Sequence, residues 1–126
     1  MNRKKNIKIL IVDDNKSFRD ILTITLSLEG FMVEGAGNGK EALDKVSRDI
    51  PDLILLDCIM PVMDGFETYR ELKGNPKTEN IPIIFCSATD IEEIKKRKIK
   101  ADGYIEKPFT VESLFRKIDK IIKNKE

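Results

Sequence analysis

Short runs of aliphatic and β-branched residues recur along the chain, and a segment with helical spacing of apolar residues follows each run. The clearest run, Leu53 to Leu56, contains no polar residue and predicts a strand buried on both faces, as in a parallel sheet. The run from Phe31 to Glu34 is weaker and predicts a strand nearer the sheet edge. The five predicted strands cover residues 7–12, 31–34, 53–57, 81–86 and 102–105.

Apolar residues between the strands predict five helices that each bury one face. The predicted buried residues are Phe18, Ile21, Leu22 and Leu26 in the first helix, Ala42, Leu43 and Val46 in the second, Phe66, Tyr69 and Leu72 in the third, and Val111, Leu114, Phe115, Ile118, Ile121 and Ile122 in the last. The fourth helix, from Ile91 to about Lys98, is short and basic, and the last runs from about Thr110 to Asn124.

Turn and cap residues mark the boundaries of these helices. Gly30 is typical of a C′ glycine that ends the first helix. The predicted boundary signals are a turn at Asn38-Gly39, a stop at Gly74-Asn75-Pro76, and capping boxes formed by Asp64 with Glu67 and by Thr89 with Glu92. Strict alternation of strand and helix predicts an α/β fold, with a parallel sheet, right-handed crossovers and helices on both faces. Residues 1–126 are predicted to form a single domain.

The composition excludes several classes of function. Basic and acidic residues number 23 and 22, a net charge of +1, which argues against direct binding of nucleic acid. The chain has no run near the ~20 apolar residues of a membrane span and no signal peptide, so a cytoplasmic location is expected. The absence of His excludes His-based catalysis, His-ligated metals and a phosphohistidine on this chain. Cys58 and Cys86 lack metal-ligand spacing and are expected to be free, buried thiols.

Polar residues end four of the five predicted strands. They are Asp13 and Asp14 after the first, Asp57 after the third, Ser87 after the fourth and Lys107 after the fifth. The carboxyl ends of parallel strands share one edge of a sheet, where ligands bind. Three close carboxylates raise each other's pKa, and Mg²⁺ relieves that repulsion. A carboxylate nucleophile, a metal clamp and a Lys predict phosphoryl transfer that gives an aspartyl phosphate.

Five segments in order then carry a resemblance along the whole chain. They are Ile9–Asp14, Asn38–Leu43, Pro51–Asp57 with Met60-Pro61 and Met63-Asp64-Gly65, Ser87-Ala88, and Lys107-Pro108-Phe109. Together they resemble the response-regulator receiver domain of two-component systems. The resemblance implies a flavodoxin-like (βα)5 fold with strand order 2-1-3-4-5 and a single receiver domain over residues 1–126 with no output domain.

The resemblance also implies a role for each strand-end residue. Asp57 is then the phosphoacceptor, which takes the phosphoryl group from a partner's phosphohistidine. Asp13, Asp14 and the backbone carbonyl of Ile59 hold Mg²⁺ together with Asp57. Ser87 hydrogen-bonds the phosphoryl group and Lys107 pairs with one of its oxygens, after a cis peptide bond to Pro108. Each residue alone has a simpler explanation, such as a strand-capping Asp57 or a helix-capping Asp14.

The implied protein is a signalling phosphoacceptor, not an enzyme, which assists its own phosphorylation and dephosphorylation. Tyr104 occupies the position of the family's switch aromatic, and an ordinary edge-strand Tyr is the alternative. The phosphoryl group shifts the face made by the fourth helix, fifth strand and fifth helix. Ile59 and Thr89 are expected to tune rate, and the bulky Ile59 predicts a long phosphoryl lifetime.

Two stretches bear on the partners. The fourth helix looks shorter than is usual in the family, and its Lys95, Lys96, Arg97, Lys98 and Lys100 are either a solvated face or a docking face. Ile24 and Leu28 fall beside the buried stripe of the first helix and are either partly buried in the ordinary way or exposed. The first helix is where histidine-bearing partners of this family dock. The expected partners are a sensor histidine kinase or histidine phosphotransfer protein and a downstream protein. The chain is expected to be a monomer or a phosphorylation-dependent homodimer.

Other functions remain open from the residues alone. The chain could be a stand-alone regulator or a receiver excised from a longer protein. A phosphorylation-independent pseudo-receiver, acting only as an interaction module, is the main alternative, although the intact acidic set argues against it. A Mg²⁺-dependent phosphohydrolase would also use an Asp nucleophile, but no second acid–base group and no cap domain is evident.

Overall fold

The computed structural model describes residues 6–88, 91–97 and 99–125, where strands alternate with helices as predicted. The strands are β1 (Lys8–Val12), β2 (Met32–Ala36), β3 (Leu53–Leu56), β4 (Ile83–Ser87) and β5 (Gly103–Glu106). The helices are α1 (Lys16–Leu28), α2 (Gly39–Arg48), α3 (Gly65–Lys73), α4 (Ile91–Lys96) and α5 (Val111–Lys125). No helix in the described ranges is both long and apolar enough to span a membrane.

The strands form one parallel sheet in the order β2-β1-β3-β4-β5, which confirms the predicted flavodoxin-like topology. The β2 strand lies at the edge, as its weaker pattern predicted. In register, Val12 pairs with Leu56, and Leu56 pairs with Phe85. The carboxyl ends of β1, β3 and β4 are therefore level. The order reverses between β1 and β3, so this end of the sheet opens a crevice.

Each face of the sheet has its own core. One cluster packs α2, α3 and α4 against alternate residues of the central strands and includes Leu10, Ile54 and Phe85. The other packs α1 and α5 against the intervening residues, such as Ile11 and Leu55. All four residues of β3 are buried because helices cover both of its faces. The core therefore holds β1, β3 and β4 rigidly below the crevice.

Side-chain caps begin four of the helices in the described ranges, including α5, where the Thr110 hydroxyl accepts the Ser113 N–H at 3.1 Å. The carboxamide of Asn15 accepts the amide N–H of Phe18 at α1, and the Asp64 carboxylate accepts the Glu67 N–H at α3, which is one of the two bonds of the predicted capping box. Gly30 follows α1 at φ 106°, which confirms the C′ glycine. The predicted turn at 38–39 is wrong, because Asn38 is itself the N-cap and α2 begins at Gly39.

Two predicted core residues are exposed. The Ile21 side chain is 63% exposed, because it lies about 100° around α1 from the buried line of Leu22 and Leu26. Val111 is 39% exposed at the first position of α5, one residue later than the predicted start. The α4 helix ends at Lys96, so it is short, as predicted. Thr89 and Lys98 lie outside the described residues, and the predicted cap at Thr89 is therefore not described.

Candidate functional site

Two buried carboxylates lie at the ends of central strands. Asp13 follows β1 and its backbone N–H donates to the Ala36 carbonyl at 3.1 Å. Asp57 follows β3 and its N–H donates to the Val12 carbonyl at 3.0 Å. These bonds extend the sheet by one residue, so both side chains start from a fixed backbone. Asp13 is 2% exposed and Asp57 is 8% exposed.

Asp14 completes a group of three carboxylates. One oxygen from each of Asp13, Asp14 and Asp57 lies within 4.8 Å of the others, and Asp14 is the exposed member. Hard oxygen ligands with one side open to water are the donor set that Mg²⁺ prefers. The described residues thus fit the predicted metal, with room for water on the Asp14 side.

Lys107 supplies the positive charge of the site. It follows β5, and its backbone N–H donates to the Ser87 carbonyl at 2.8 Å. Its Nζ lies 2.6 Å from Asp13 Oδ2 and 3.9 Å from Asp57 Oδ2. The Lys107–Pro108 peptide bond is cis, as the family resemblance implied. One ammonium therefore lies between the two buried carboxylates.

The pKa of Asp57 is raised above its usual range. Burial is the main cause, and the nearby charge of Asp13 acts in the same direction. The Lys107 ammonium opposes this rise, as do hydrogen bonds that the Ser87 hydroxyl and the Ile59 amide donate to the carboxylate. Asp57 is therefore a carboxylate whose negative charge the metal-free protein stabilises incompletely.

Asp57, Ile59, Ser87, Ala88 and Lys107 line an open pocket of about 400 Å³. The Ile59 side chain is 70% exposed at its rim. The sequence analysis thus assigned a site role to four of these five lining residues, and it named the fifth, Ala88, only as part of the Ser87-Ala88 segment. The pocket opens Asp57 to solvent although most of its side chain is buried.

The two cysteines flank the site without forming a reactive pair. Cys58 and Cys86 are free and buried. Burial raises the pKa of the Cys58 thiol to about 11 and raises that of Cys86 further. Both therefore stay protonated at neutral pH and behave as the small buried hydrophobes that were predicted.

Tyr104 points across the fourth strand toward the loop after α4. Its ring stacks on Phe85 with 6.4 Å between centroids and an interplanar angle of 15°. Its hydroxyl donates to the Ile99 carbonyl at 2.7 Å and accepts from the Ala101 N–H at 3.2 Å. Phe85 lies two residues before Ser87, so one strand connects the pocket to this aromatic contact.

Three residues near Asp13 were missed as site residues by the sequence analysis. The Asn15 N–H donates to Asp13 Oδ1 at 2.9 Å, and Arg19 Nη1 donates to the Asp13 carbonyl at 2.7 Å. Phe18 was predicted only as a buried apolar residue, but its ring lies against Lys107 Nζ, 4.1 Å from the centroid. The apolar pattern of α1 contains no signal that separates a core residue from a pocket residue.

Comparison with known proteins gave consistent matches. The family model of the response regulator receiver domain matches residues 9–119. Response regulator MprA of Mycobacterium tuberculosis is 37% identical over 120 residues, which cover 94% of this chain and 51% of MprA. The chain thus spans about half the length of the curated relatives it matches.

Solved structures match over nearly their full length. The chemotaxis protein CheY4 of Vibrio cholerae superposes with a TM-score of 0.85 at 33% identity, covering 91% of this chain and 98% of that one. Response regulator TrrA of Thermotoga maritima, solved in complex with Mg²⁺-BeF, gives a TM-score of 0.82 at 33% identity, with the same two coverages of 91% and 98%.

Proposed function

The chain belongs to the response regulator receiver domain family, and on this premise we propose that it is the phosphoacceptor of a two-component phosphorelay, with Asp57 as the acceptor. The observation that carries the proposal is the convergence of three carboxylates within 4.8 Å, with Lys107 Nζ at 2.6 Å from Asp13 and 3.9 Å from Asp57. An interaction module that is never phosphorylated would gain nothing from this cluster, since close like charges destabilise a fold.

The reaction is transfer of a phosphoryl group from a partner's phosphohistidine. An Asp57 carboxylate oxygen attacks phosphorus, a P–O bond forms and the P–N bond to the partner's imidazole breaks. The electron pair of that bond stays on the imidazole nitrogen, which takes a proton. Lys107 moves toward the incoming phosphoryl oxygens, and the Ser87 hydroxyl donates to one of them.

The carboxylates of Asp13, Asp14 and Asp57 and the backbone carbonyl of Ile59 would hold Mg²⁺. When bound, the metal supplies positive charge that neutralises the carboxylates and the phosphoryl oxygens. Asp13 is already oriented for this role, because the Asn15 N–H holds Oδ1 and Lys107 holds Oδ2. The relative TrrA was solved in complex with Mg²⁺-BeF, which supports Mg²⁺ as the metal.

The proposed effect of phosphorylation is a structural change in the face made by α4, β5 and α5. In the proposal, phosphoryl on Asp57 draws Ser87 inward and Tyr104 swings into the space that Ser87 leaves. That movement breaks the two hydrogen bonds that join the Tyr104 hydroxyl to Ile99 and Ala101. Phosphorylation thereby shifts a population between two positions of the loop after α4.

The phosphodonor is proposed to be a sensor histidine kinase or a histidine phosphotransfer protein that docks on α1. Ile21, Ile24 and Leu28 form a stripe on α1 and are 63%, 62% and 84% exposed. Such a stripe suits the apolar face of a partner helix. Replacing Ile24 with Ser should slow transfer from a phosphohistidine protein and leave the rate with acetyl phosphate unchanged. An Ile24→Ser variant that reacts at the wild-type rate with both the phosphohistidine protein and acetyl phosphate would refute this docking surface.

Location and assembly form the remaining part of the proposal. The free thiols of Cys58 and Cys86 are consistent with a reducing compartment such as the cytoplasm. The protein is proposed to act as a monomer or as a homodimer formed on phosphorylation. Whether residues 1–126 are the whole protein stays a prediction, since the curated relatives are about twice as long.

Native mass spectrometry with acetyl phosphate and Mg²⁺ tests the function. We expect one phosphoryl group on the wild-type chain and none on Asp57→Asn. The same spectra report whether phosphorylation brings a dimer. Phosphorylation of Asp57→Asn at the wild-type extent would refute the assignment of Asp57, and a wild-type chain that never gains mass would favour a pseudo-receiver.

A further inference from the structure

The ring of Phe18 packs against the ammonium of Lys107, a contact that none of the roles proposed above uses. Lys107 Nζ lies 4.1 Å from the ring centroid. Phe109 meets the Phe18 ring edge-on, with 6.0 Å between the centroids and an interplanar angle of 86°. The three side chains join the first turn of α1 to the loop between β5 and α5.

The backbone places Phe18 relative to Asp13. Asn15 accepts the Phe18 N–H on its Oδ1 at 3.0 Å, and the Asn15 N–H donates to Asp13 Oδ1 at 2.9 Å. The same cap residue therefore fixes the carboxylate and the backbone from which the ring of Phe18 extends. Phe109 is two residues after Lys107, so the loop that carries the ammonium also carries the ring that contacts Phe18.

Lys107 needs such a restraint because its ammonium ends a flexible four-carbon chain. Its side chain is 22% exposed, so water competes for its N–H groups. An aromatic face attracts a cation without requiring a directed N–H, whereas a carboxylate or hydroxyl in the same place would occupy one of the three donors. The ring thus confines Nζ and leaves its donors available for the carboxylates.

We propose that Phe18 is a positioning residue that keeps the Lys107 ammonium between Asp13 and Asp57, with Phe109 orienting its ring. The inference rests on the proposed function, in which Lys107 pairs with the phosphoryl group. As Nζ shifts from Asp13 toward an oxygen on Asp57, the ring remains a partner throughout. Loss of the ring leaves more side-chain conformations to be restricted when phosphoryl arrives.

Phosphorylation kinetics with acetyl phosphate and Mg²⁺ test the inference. A small donor does not dock on α1, so any contact of Phe18 with a protein partner does not affect this rate. We expect Phe18→Leu to react about 3 to 10 times more slowly, the fold-change that corresponds to loss of one partly exposed cation–π contact. Phe18→Tyr retains an aromatic face and should react like the wild type. Phe115→Leu, a control at a half-buried Phe of the same core cluster, should also leave the rate unchanged.

NMR of the unphosphorylated protein gives a second readout that a merely structural role would not move. Protons above a ring face are shifted upfield, so the Lys107 Hε signals should be upfield in the wild type and in Phe18→Tyr. In Phe18→Leu these signals should return to ordinary values, while the dispersion of the other signals shows that the protein is still folded.

Three results would overturn the inference. They are an unshifted Lys107 signal in the wild type, a Phe18→Leu variant that loses the shift but reacts at the wild-type rate, and a folded Phe18→Tyr variant as slow as Phe18→Leu. A wild-type protein that shows the upfield signal but accepts no phosphoryl group would instead overturn the proposed function, and with it the purpose assigned to the contact.

Discussion

Replacing Asp57 with Asn should stabilise the metal-free protein. The carboxylate is 8% exposed, and its neighbours repel and attract it by similar amounts. Repulsion from Asp13 at the 4.8 Å limit is about 3.5 kcal/mol at an effective dielectric constant of about 20, and the exposed Asp14 adds about 1 kcal/mol in water. Attraction to Lys107 at 3.9 Å is about 4 kcal/mol at the same effective dielectric constant of about 20.

These charge interactions nearly cancel, so the cost of burying Asp57 remains. Burial of an incompletely paired polar group costs about 1–3 kcal/mol, and the bonds from Ser87 and Ile59 offset part of it. We therefore expect Asp57→Asn to raise the free energy of unfolding by about 1–2 kcal/mol at pH 7. For a domain of this size, the melting temperature should rise by about 3–8 °C.

The pH dependence of this difference follows from the raised pKa of Asp57. Between the unfolded pKa near 3.9 and the higher folded pKa, the folded protein binds more protons than the unfolded chain. Its stability therefore falls as pH rises through that window. The advantage of Asp57→Asn should be full above the folded pKa and should disappear as pH falls toward about 4.

Urea unfolding in EDTA at several pH values measures this effect. Asp20→Asn is a matched control, because it removes only an exposed ion pair with Lys16 and should change stability by less than about 0.5 kcal/mol. Saturating Mg²⁺ should narrow or reverse the gap, since binding at 100 times the dissociation constant stabilises by about 2.7 kcal/mol and the variant lacks one ligand. A variant less stable than the wild type in EDTA at pH 7 would refute the reasoning.

Three further predictions concern the rim and the loop of the site. Asp14→Asn should weaken Mg²⁺ binding at least about tenfold in calorimetry, because Asp14 is the exposed member of the proposed metal site; an unchanged affinity would remove it from that site. The metal-free stability should rise by no more than about 1 kcal/mol, which is the repulsion that is relieved. Ile59→Ala should shorten the phosphoryl lifetime, measured as phosphate release, because the 70% exposed side chain no longer hinders the attacking water; an unchanged or longer lifetime would contradict this. Val62→Asn should raise the free energy of unfolding by about 0.5–1 kcal/mol in urea, because Val62 is β-branched at φ 71° and Asn tolerates that region; a less stable variant would show that the Val62 side chain stabilises the loop.

The parallel sheet could be predicted from the alternation of strands and helices, and the acidic cluster from the polar residues that follow the strands. The strand order came from the family resemblance. Once the strands are parallel, a carboxylate that follows β1 and one that follows β3 must meet at the same edge. Ser87 and Lys107 join them for the same reason. The roles of these residues came from the family resemblance, and they stay proposals until phosphorylation is measured.

The errors arose where one sequence signal is compatible with two local structures. Ile21 and Phe18 were both assigned to the buried face of the first helix. Ile21 is exposed, whereas Phe18 packs against the core as predicted and also contacts the ammonium of Lys107. Hydrophobic spacing gives the axis of a helix face but not its width, so residues at the margin cannot be assigned. Gly39 was taken for a turn because Asn-Gly is typical of turns, although Asn38 can equally well cap a helix.

The ion pair between Asp13 and Lys107 joins residues that are 94 positions apart. A chain emerging from the ribosome presents Asp13, Asp14 and Asp57 before Lys107 has been synthesised. Three carboxylates without their ammonium would repel one another and resist docking of the early strands. We therefore expect docking of the last strand to complete both the sheet and the charge balance. We expect an otherwise compact chain that ends before Lys107 to accept no phosphoryl group. Phosphorylation would then report that the chain has folded completely.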